Sequence, residues 1–228
     1  SLTDSPPWFV MPLADGSLKD DLEADHTLGG APKRPLFDIL AGLEALHHIG
    51  LRHRDLKPAN VLKFLQPTGV PLYAISDFGL TTPGVGQTST LTGSNMAGGT
   101  PMYRPPECAN NFRRATEQAD IYSFGAILHD IFSGGWRIPH SELTVAGPLG
   151  PIVEKCTKAH PRRRYPSIAA LREDLFAVLD NTVVQFFSAE EQDVIAILNA
   201  KDHLSDDEWD RIFHLIDDNA DKNVSNNN

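Results

Sequence analysis

A mainly α-helical domain with one small β-hairpin, followed by a helical C-terminal extension, is the fold class this sequence predicts. Three observations carry it. Apolar residues recur at helical spacing through Leu36, Ile39, Leu40, Leu43 and Leu46. A strongly apolar stretch, Ile121 to Phe132, is long enough for a buried helix. Two short apolar runs, Val61 to Leu65 and Leu72 to Ile75, flank the turn-forming Gln66-Pro67-Thr68-Gly69.

In chain order, Trp8-Phe9-Val10-Met11 between Pro7 and Pro12 reads as one buried strand. Asp15-Gly16-Ser17 then turns the chain, and Leu18 to Leu22 opens a short helix. The helix from Leu36 stops at Gly50, and the hairpin follows. Residues 80–100 are rich in Thr, Ser and Gly with little apolar content, as expected of a long loop. The helix over Ile121 to Phe132 is closed by Gly134-Gly135. Ile152 to Cys156 and Ile168 to Leu179 predict two more helices, the second preceded by Pro166-Ser167. Beyond Asn181, Ser188-Ala189-Glu190-Glu191 and Ser205-Asp206-Asp207-Glu208 fit the capping box, in which Ser and Glu satisfy free amides at a helix start. Each precedes an apolar stripe (Val194, Ile195 and Leu198; Trp209, Ile212, Phe213 and Ile216), so two helices are expected before an Asn-rich frayed end. The expected division is residues 1–180 and 181–228.

Bulk composition narrows the class. The 228 residues carry 41% hydrophobic content, enough for one substantial core or two small ones. Thirty acidic residues against twenty basic ones give a net charge of −10, which argues against a nucleic-acid binder. Cys108 and Cys156 form no disulfide framework or metal spacing and suit a reducing compartment. No apolar run approaches the roughly 18 to 20 residues that span a bilayer, and no signal pattern opens the chain. The expectation is a soluble, cytoplasmic protein with no membrane span.

One short stretch concentrates the chemistry: His53-Arg54-Asp55-Leu56-Lys57-Pro58-Ala59-Asn60, followed by Asp77-Phe78-Gly79. Phosphoryl transfer from a magnesium nucleotide to a hydroxyl needs a carboxylate near the attacking oxygen, a cation on the transferred group and oxygen ligands for a hard metal. This stretch supplies all three. Alone, Asp77-Phe78-Gly79 is a chance tripeptide; in order behind the eight-residue string it is not. An antiparallel hairpin between Asn60 and Asp77 would return the second ligand beside the first.

The combination closely resembles the catalytic and metal-binding loops of eukaryotic-type serine/threonine protein kinases. The resemblance implies the large C-terminal lobe of that fold, with ATP and Mg2+ as cofactors and a protein as substrate. It makes Asp55 the base, Lys57 the contact to the transferred phosphate, and Asn60 and Asp77 the metal ligands. His53, Arg54, Phe78 and Gly79 are supporting positions. Gly99-Thr100-Pro101-Met102-Tyr103-Arg104-Pro105-Pro106-Glu107 is similar to the segment that closes a kinase activation loop. There Thr100 would contact Asp55 and Lys57, and Glu107 would pair with an arginine, best matched by Arg164. Asp120-Ile121-Tyr122-Ser123-Phe124-Gly125 resembles the start of the central helix, whose Asp120 would accept backbone amides of the catalytic loop; an ordinary first-turn acid has the same residue type. Asp-Leu-Lys-Pro-x-Asn with Thr100 downstream is the serine/threonine form, and tyrosine kinases usually place the basic residue differently. Met11, Leu13 and Ala14 would line the adenine site at the hinge, with Leu62 as its floor.

Other features are weighed beside it. Arg54 could pair with a phosphate placed on Thr88, Ser89, Thr90, Thr92 or Ser94. His47, His48, His129 and His160 lack a metal-ligand pattern and are expected to pack on helix surfaces or in the core. Asp217, Asn219 and Asp221 have the spacing of a calcium loop, but Lys222 stands where glycine is needed and Asn228 where glutamate is, so a solvated acidic helix end is expected. The resemblance covers about residues 8 to 180 and lacks the family's Gly-rich loop, strand lysine and helix glutamate. The expectation is therefore part of a longer polypeptide with its small lobe upstream, weak in ATP binding and transfer by itself. The span from Gly134 to Pro148 is short, so a substrate-docking helix there is expected to be reduced or absent. A pseudokinase or lone-lobe interaction module is the alternative. A small-molecule phosphotransferase is a second rival, disfavoured by the Gly99 to Glu107 segment.

Overall fold

The computed structural model describes residues 10–77, 101–109, 115–181 and Ser205. Along the chain run β1 (Gly16–Ser17), α1 (Leu18–Ala24), α2 (Lys33–His48), β2 (Val61–Phe64), β3 (Leu72–Ile75), α3 (Glu117–Ser133), α4 (Gly150–Cys156) and α5 (Ile168–Asn181). Helices dominate. The expected hairpin is instead a three-stranded antiparallel sheet in the order β1-β2-β3, because Gly16 and Ser17 pair with Lys63 and Leu62. The turn expected at Asp15-Gly16-Ser17 is thus a short strand. Ser17 also caps α1: it and Asp20 exchange hydrogen bonds in a capping box, with Asp in the usual Glu position.

The expected buried strand at Trp8 to Met11 needs correction where it is described. Val10, Met11 and Leu13 are exposed, and residues 10–14 form no strand. An apolar run becomes a buried strand only with a partner, and among the described residues β1 pairs with β2 alone. Trp8 and Phe9 lie outside the described residues.

Helix α2 buries Leu36, Ile39, Leu40 and Leu43, the stripe its periodicity predicts. It ends at His48, and Gly50 follows at a φ of +75°, a conformation that favours glycine. The sheet lies directly on α2: a Cβ on Gly42 would stand 2.9 Å from Ile75 Cγ1. Helix α3 is buried almost all round, as a central helix must be, and Gly134 terminates it in the left-handed region. Gly125 lets α4 approach, since a Cβ there would fall 2.5 Å from Cys156 Cβ. Helix α5 closes the far side with Ile168, Leu171, Leu175 and Leu179, and Ala170 N donates to Ser167 Oγ at its start. The core is continuous from Leu18 through α2 and α3 to α5. As expected, no helix occupies residues 134–149.

Candidate active site

The loop between α2 and β2 is built on one buried carboxylate. Asp120, in the first turn of α3, accepts His53 N at 2.9 Å on Oδ2 and Arg54 N at 2.8 Å on Oδ1. His47 Nε2 donates to Oδ2 at 2.8 Å. A buried carboxylate is tolerable only with such a full set of donors. The anchoring holds Arg54 at φ +69°, a left-handed conformation that a non-glycine residue keeps only when its surroundings enforce it. Burial lowers the pKa of the Arg54 guanidinium from its ordinary value; Asp120 opposes the shift and Arg52 adds to it.

Three of the expected catalytic side chains meet downstream. Lys57 Nζ donates to Asp55 Oδ2 at 2.6 Å. Asn60 Nδ2 donates to the Asp55 carbonyl at 2.9 Å and to its Oδ2 at 3.2 Å. Both Asp55 and Lys57 side chains are mostly buried, at 16% and 20% exposure, yet open to solvent on one side. Because Asn60 spends its NH2 on Asp55, its Oδ1 is left as the acceptor it can offer elsewhere.

The hairpin brings the second loop back to this point. Val61 pairs with Ile75, and beyond that register Ser76 N and Oγ both donate to the Asn60 carbonyl, at 2.8 and 3.0 Å. His53, wholly buried, bridges the two loops. Its Nδ1 accepts from Asp55 N at 3.4 Å, so Nε2 carries the proton and donates to the Ser76 carbonyl at 2.8 Å. Asp77 follows immediately, exposed and at φ +63°. Asp55, Lys57, Asn60 and the backbone leading into Asp77 therefore share one bonded unit. An amide oxygen and a carboxylate are hard donors suited to Mg2+. Among the described residues no group of three or more His, Cys, Asp or Glu side chains could hold a metal. Mg2+ shared with substrate phosphates does not require such an all-protein cage, so this pair of donors fits it.

Away from this centre, Arg164 grips Glu107 with both arms of its guanidinium, at 2.7 and 2.8 Å. It also donates to the carbonyls of Lys158, Gln118 and Ala159. The Arg164 side chain is fully buried. Cys108 and Cys156 are buried free thiols, and burial with Glu107 nearby pushes the Cys108 thiol up to about 12, which makes it unreactive. Leu62 is half-buried on β2, opposite Ser17 and Ala74. Ala14 precedes Asp15, whose N–H bonds the Lys63 carbonyl, so the segment carrying Met11, Leu13 and Ala14 enters at the strand that bears Leu62. Phe78, Gly79, Thr100, the loop hydroxyls from Thr88 to Ser94, and the calcium-like spacing after Asp217 lie outside the described residues.

His47 is a residue the sequence reading missed. It was expected to pack on a helix, but it holds Asp120 across 73 positions of chain, and no local pattern reveals that. Of its companions, His48 is exposed, His129 is buried in α3, and His160 Nδ1 accepts from Arg162 N to cap a short turn. Ser76 was missed as well. A further unnoticed set is Tyr103, Asp130 and Arg137, beside a pocket of about 330 Å3 that Lys57 also lines.

A family model described as the protein kinase domain matches residues 3–179. The serine/threonine-protein kinase PkaA of Streptomyces coelicolor is 33% identical over 169 residues, which is 67% of this chain and 30% of that protein. PknB of Mycobacterium leprae is 29% identical over 196 residues, 75% of this chain and 30% of PknB. The receptor-interacting serine/threonine-protein kinase 3 of Rattus norvegicus is 40% identical over 105 residues, 44% of this chain and 21% of that protein. The chain thus spans less than a third of the length of each of these relatives. Among the described residues no helix is long and apolar enough to cross a membrane.

Proposed function

The chain belongs to the protein kinase family, and on that premise we propose that it transfers the γ-phosphoryl group of Mg-ATP to Ser or Thr hydroxyls of proteins. The observation that carries this reading is the bonded set of Asp55, Lys57 and Asn60, suspended from Asp120 and tied through His53 and Ser76 to the start of the Asp77 loop.

In this reading Asp55 orients the substrate hydroxyl and takes its proton as the oxygen attacks phosphorus. The bond to the ADP oxygen breaks, and ADP leaves with the electron pair. Lys57 bonds Asp55 and would offer its charge to the transferred group. Asn60 Oδ1 and the Asp77 carboxylate would hold Mg2+, which when bound neutralises charge on the phosphate oxygens. His53 and Asp120 keep the two loops in register. Glu107 and Arg164 fix the segment after the activation loop against α3, and Thr100 would steady Asp55 and Lys57. Leu62 and the segment Met11 to Ala14 would contact the adenine.

The helices α1–α5 and the small sheet support the finer reading of residues 1–180 as the large lobe of the domain. The family match, ending at residue 179, supports a boundary there, with residues 181–228 as an extension. The test uses the whole gene product with γ-labelled ATP, Mg2+ and a mixed protein substrate. Label on phosphoserine or phosphothreonine is expected. No protein label, or label on small molecules alone, overturns the proposal.

A further inference from the structure

The pocket beside the catalytic loop has an unusual charge balance. Its walls come from α1, from Lys57, Pro58 and Ala59 of the catalytic loop, from Tyr103, and from the end of α3 at Asp130, Gly134 and Gly135. Since Lys57 both lines this pocket and contacts Asp55, chain flanking an acceptor hydroxyl at Asp55 has this space beside it.

Among the described residues, each charged side chain that lines the space has a partner from the same chain. Tyr103 Oη donates to Asp130 Oδ2 at 2.7 Å, and Arg137 Nη1 pairs with Asp130 Oδ1. Arg137 is itself fixed: its side chain is 5% exposed, its guanidinium stands 4.6 Å over the Tyr103 ring, and its Nε donates to the Met102 carbonyl at 3.2 Å. Lys57 is held by Asp55, and Lys19 pairs with Glu23 at 3.3 Å near the rim. His26 Nδ1 donates to the Ile131 carbonyl at 3.0 Å. Apart from the solvent-exposed Lys19 and Glu23 pair, the described residues offer a ligand the apolar surface of Leu22, Pro58, Ala59 and the Tyr103 ring. Trp136, the residue after Gly135, is 84% exposed.

From this arrangement we infer that Arg137 is a specificity-determining residue. It occupies the Asp130 carboxylate that would otherwise capture a cationic side chain, so the groove takes an uncharged, apolar residue flanking the acceptor Ser or Thr. The inference rests on the kinase reading above for what the groove is used for, but its chemistry stands on the pairing alone. A lysine or arginine entering here would be desolvated against an already neutralised carboxylate and meet the Arg137 charge. An apolar side chain loses only water.

The test uses fluorescein-labelled peptides of equal length with one central serine, whose flanking residues are leucine, arginine or glutamate, titrated by polarisation without nucleotide. The wild-type chain is expected to bind the leucine peptide about tenfold more tightly than the arginine peptide. Arg137→Met frees Asp130 and should close or invert that gap. The double variant Asp130→Asn/Arg137→Met removes both charges, avoids leaving one buried and unpaired, and should restore the apolar preference. A purely structural pin would lower the melting temperature and leave the peptide ranking where it was. A wild-type preference for arginine, an unchanged ranking in Arg137→Met, or binding of no peptide overturns the inference. Failure of the kinase reading is seen separately, as absence of phosphoryl transfer to any of these peptides.

Discussion

Asp120→Asn is the perturbation that interrogates the scaffold of the site. The wild-type carboxylate is fully buried and accepts three hydrogen bonds: Arg54 N on Oδ1, and His53 N and His47 Nε2 on Oδ2. Asparagine has one oxygen. Set in the Oδ2 position, it keeps His53 and His47 but turns its NH2 towards Arg54 N, donor against donor. One charge-assisted bond is lost, at about 1.5–3 kcal/mol, and a buried donor is left unsatisfied, at about 1–3 kcal/mol. The expected destabilisation is therefore about 2.5–6 kcal/mol, a large fraction of the roughly 5–15 kcal/mol that holds a domain folded. Urea unfolding reads the total. Amide hydrogen exchange locates it: Arg54 N should lose protection first, because its φ of +69° is held by that bond. Wild-type protection at Arg54 together with wild-type stability would refute the assignment of Asp120 as the anchor of the loop.

Glu107→Gln leaves the buried Arg164 guanidinium without its counter-charge, so stability should fall by about 3–5 kcal/mol, read as a lower unfolding midpoint in denaturant; an unchanged midpoint contradicts it. His129 gives a pH signature. Burial, with Arg137 adding, holds its pKa down to about 4 from an ordinary 6.5, so between those values the unfolded chain binds a proton that the folded one refuses. This contribution to stability is complete above pH 6.5 and is lost as pH falls towards 4. His129→Gln should flatten melting temperature against pH in that window, and an unaltered slope would count against the assignment.

Where local chemistry decides structure, the sequence was readable. The stripe from Leu36 to Leu43 marks α2, the turn at Gln66 to Gly69 marks the hairpin, and Gly134 marks the end of α3, each by a rule acting within a few residues. Strand β1 was not readable: Gly16 and Ser17 carry turn chemistry and become a strand only by pairing with residues more than forty positions away. The exposed Val10 to Leu13 segment misled in the opposite sense, since hydrophobicity indicates burial only when a partner surface exists. In the site, the string from His53 to Asn60 marked the loop whose side chains bond together, and the resemblance suggested the Glu107 and Arg164 pair. His47 and Ser76 went unnoticed because their roles are set by contacts with Asp120, His53 and Asn60, which only the folded chain assembles.

Steady-state transfer by Asp55→Asn, compared with wild type under saturating Mg-ATP and varied protein substrate, tests the central claim most directly. The amide matches the carboxylate in size but removes the proton acceptor and the counter-charge that Lys57 has on Asp55. The expected result is a fall in kcat of about 10²–10⁴-fold with KM nearly unchanged. A variant that keeps wild-type kcat would show that Asp55 is not the base and that the bonded cluster around it does not perform phosphoryl transfer.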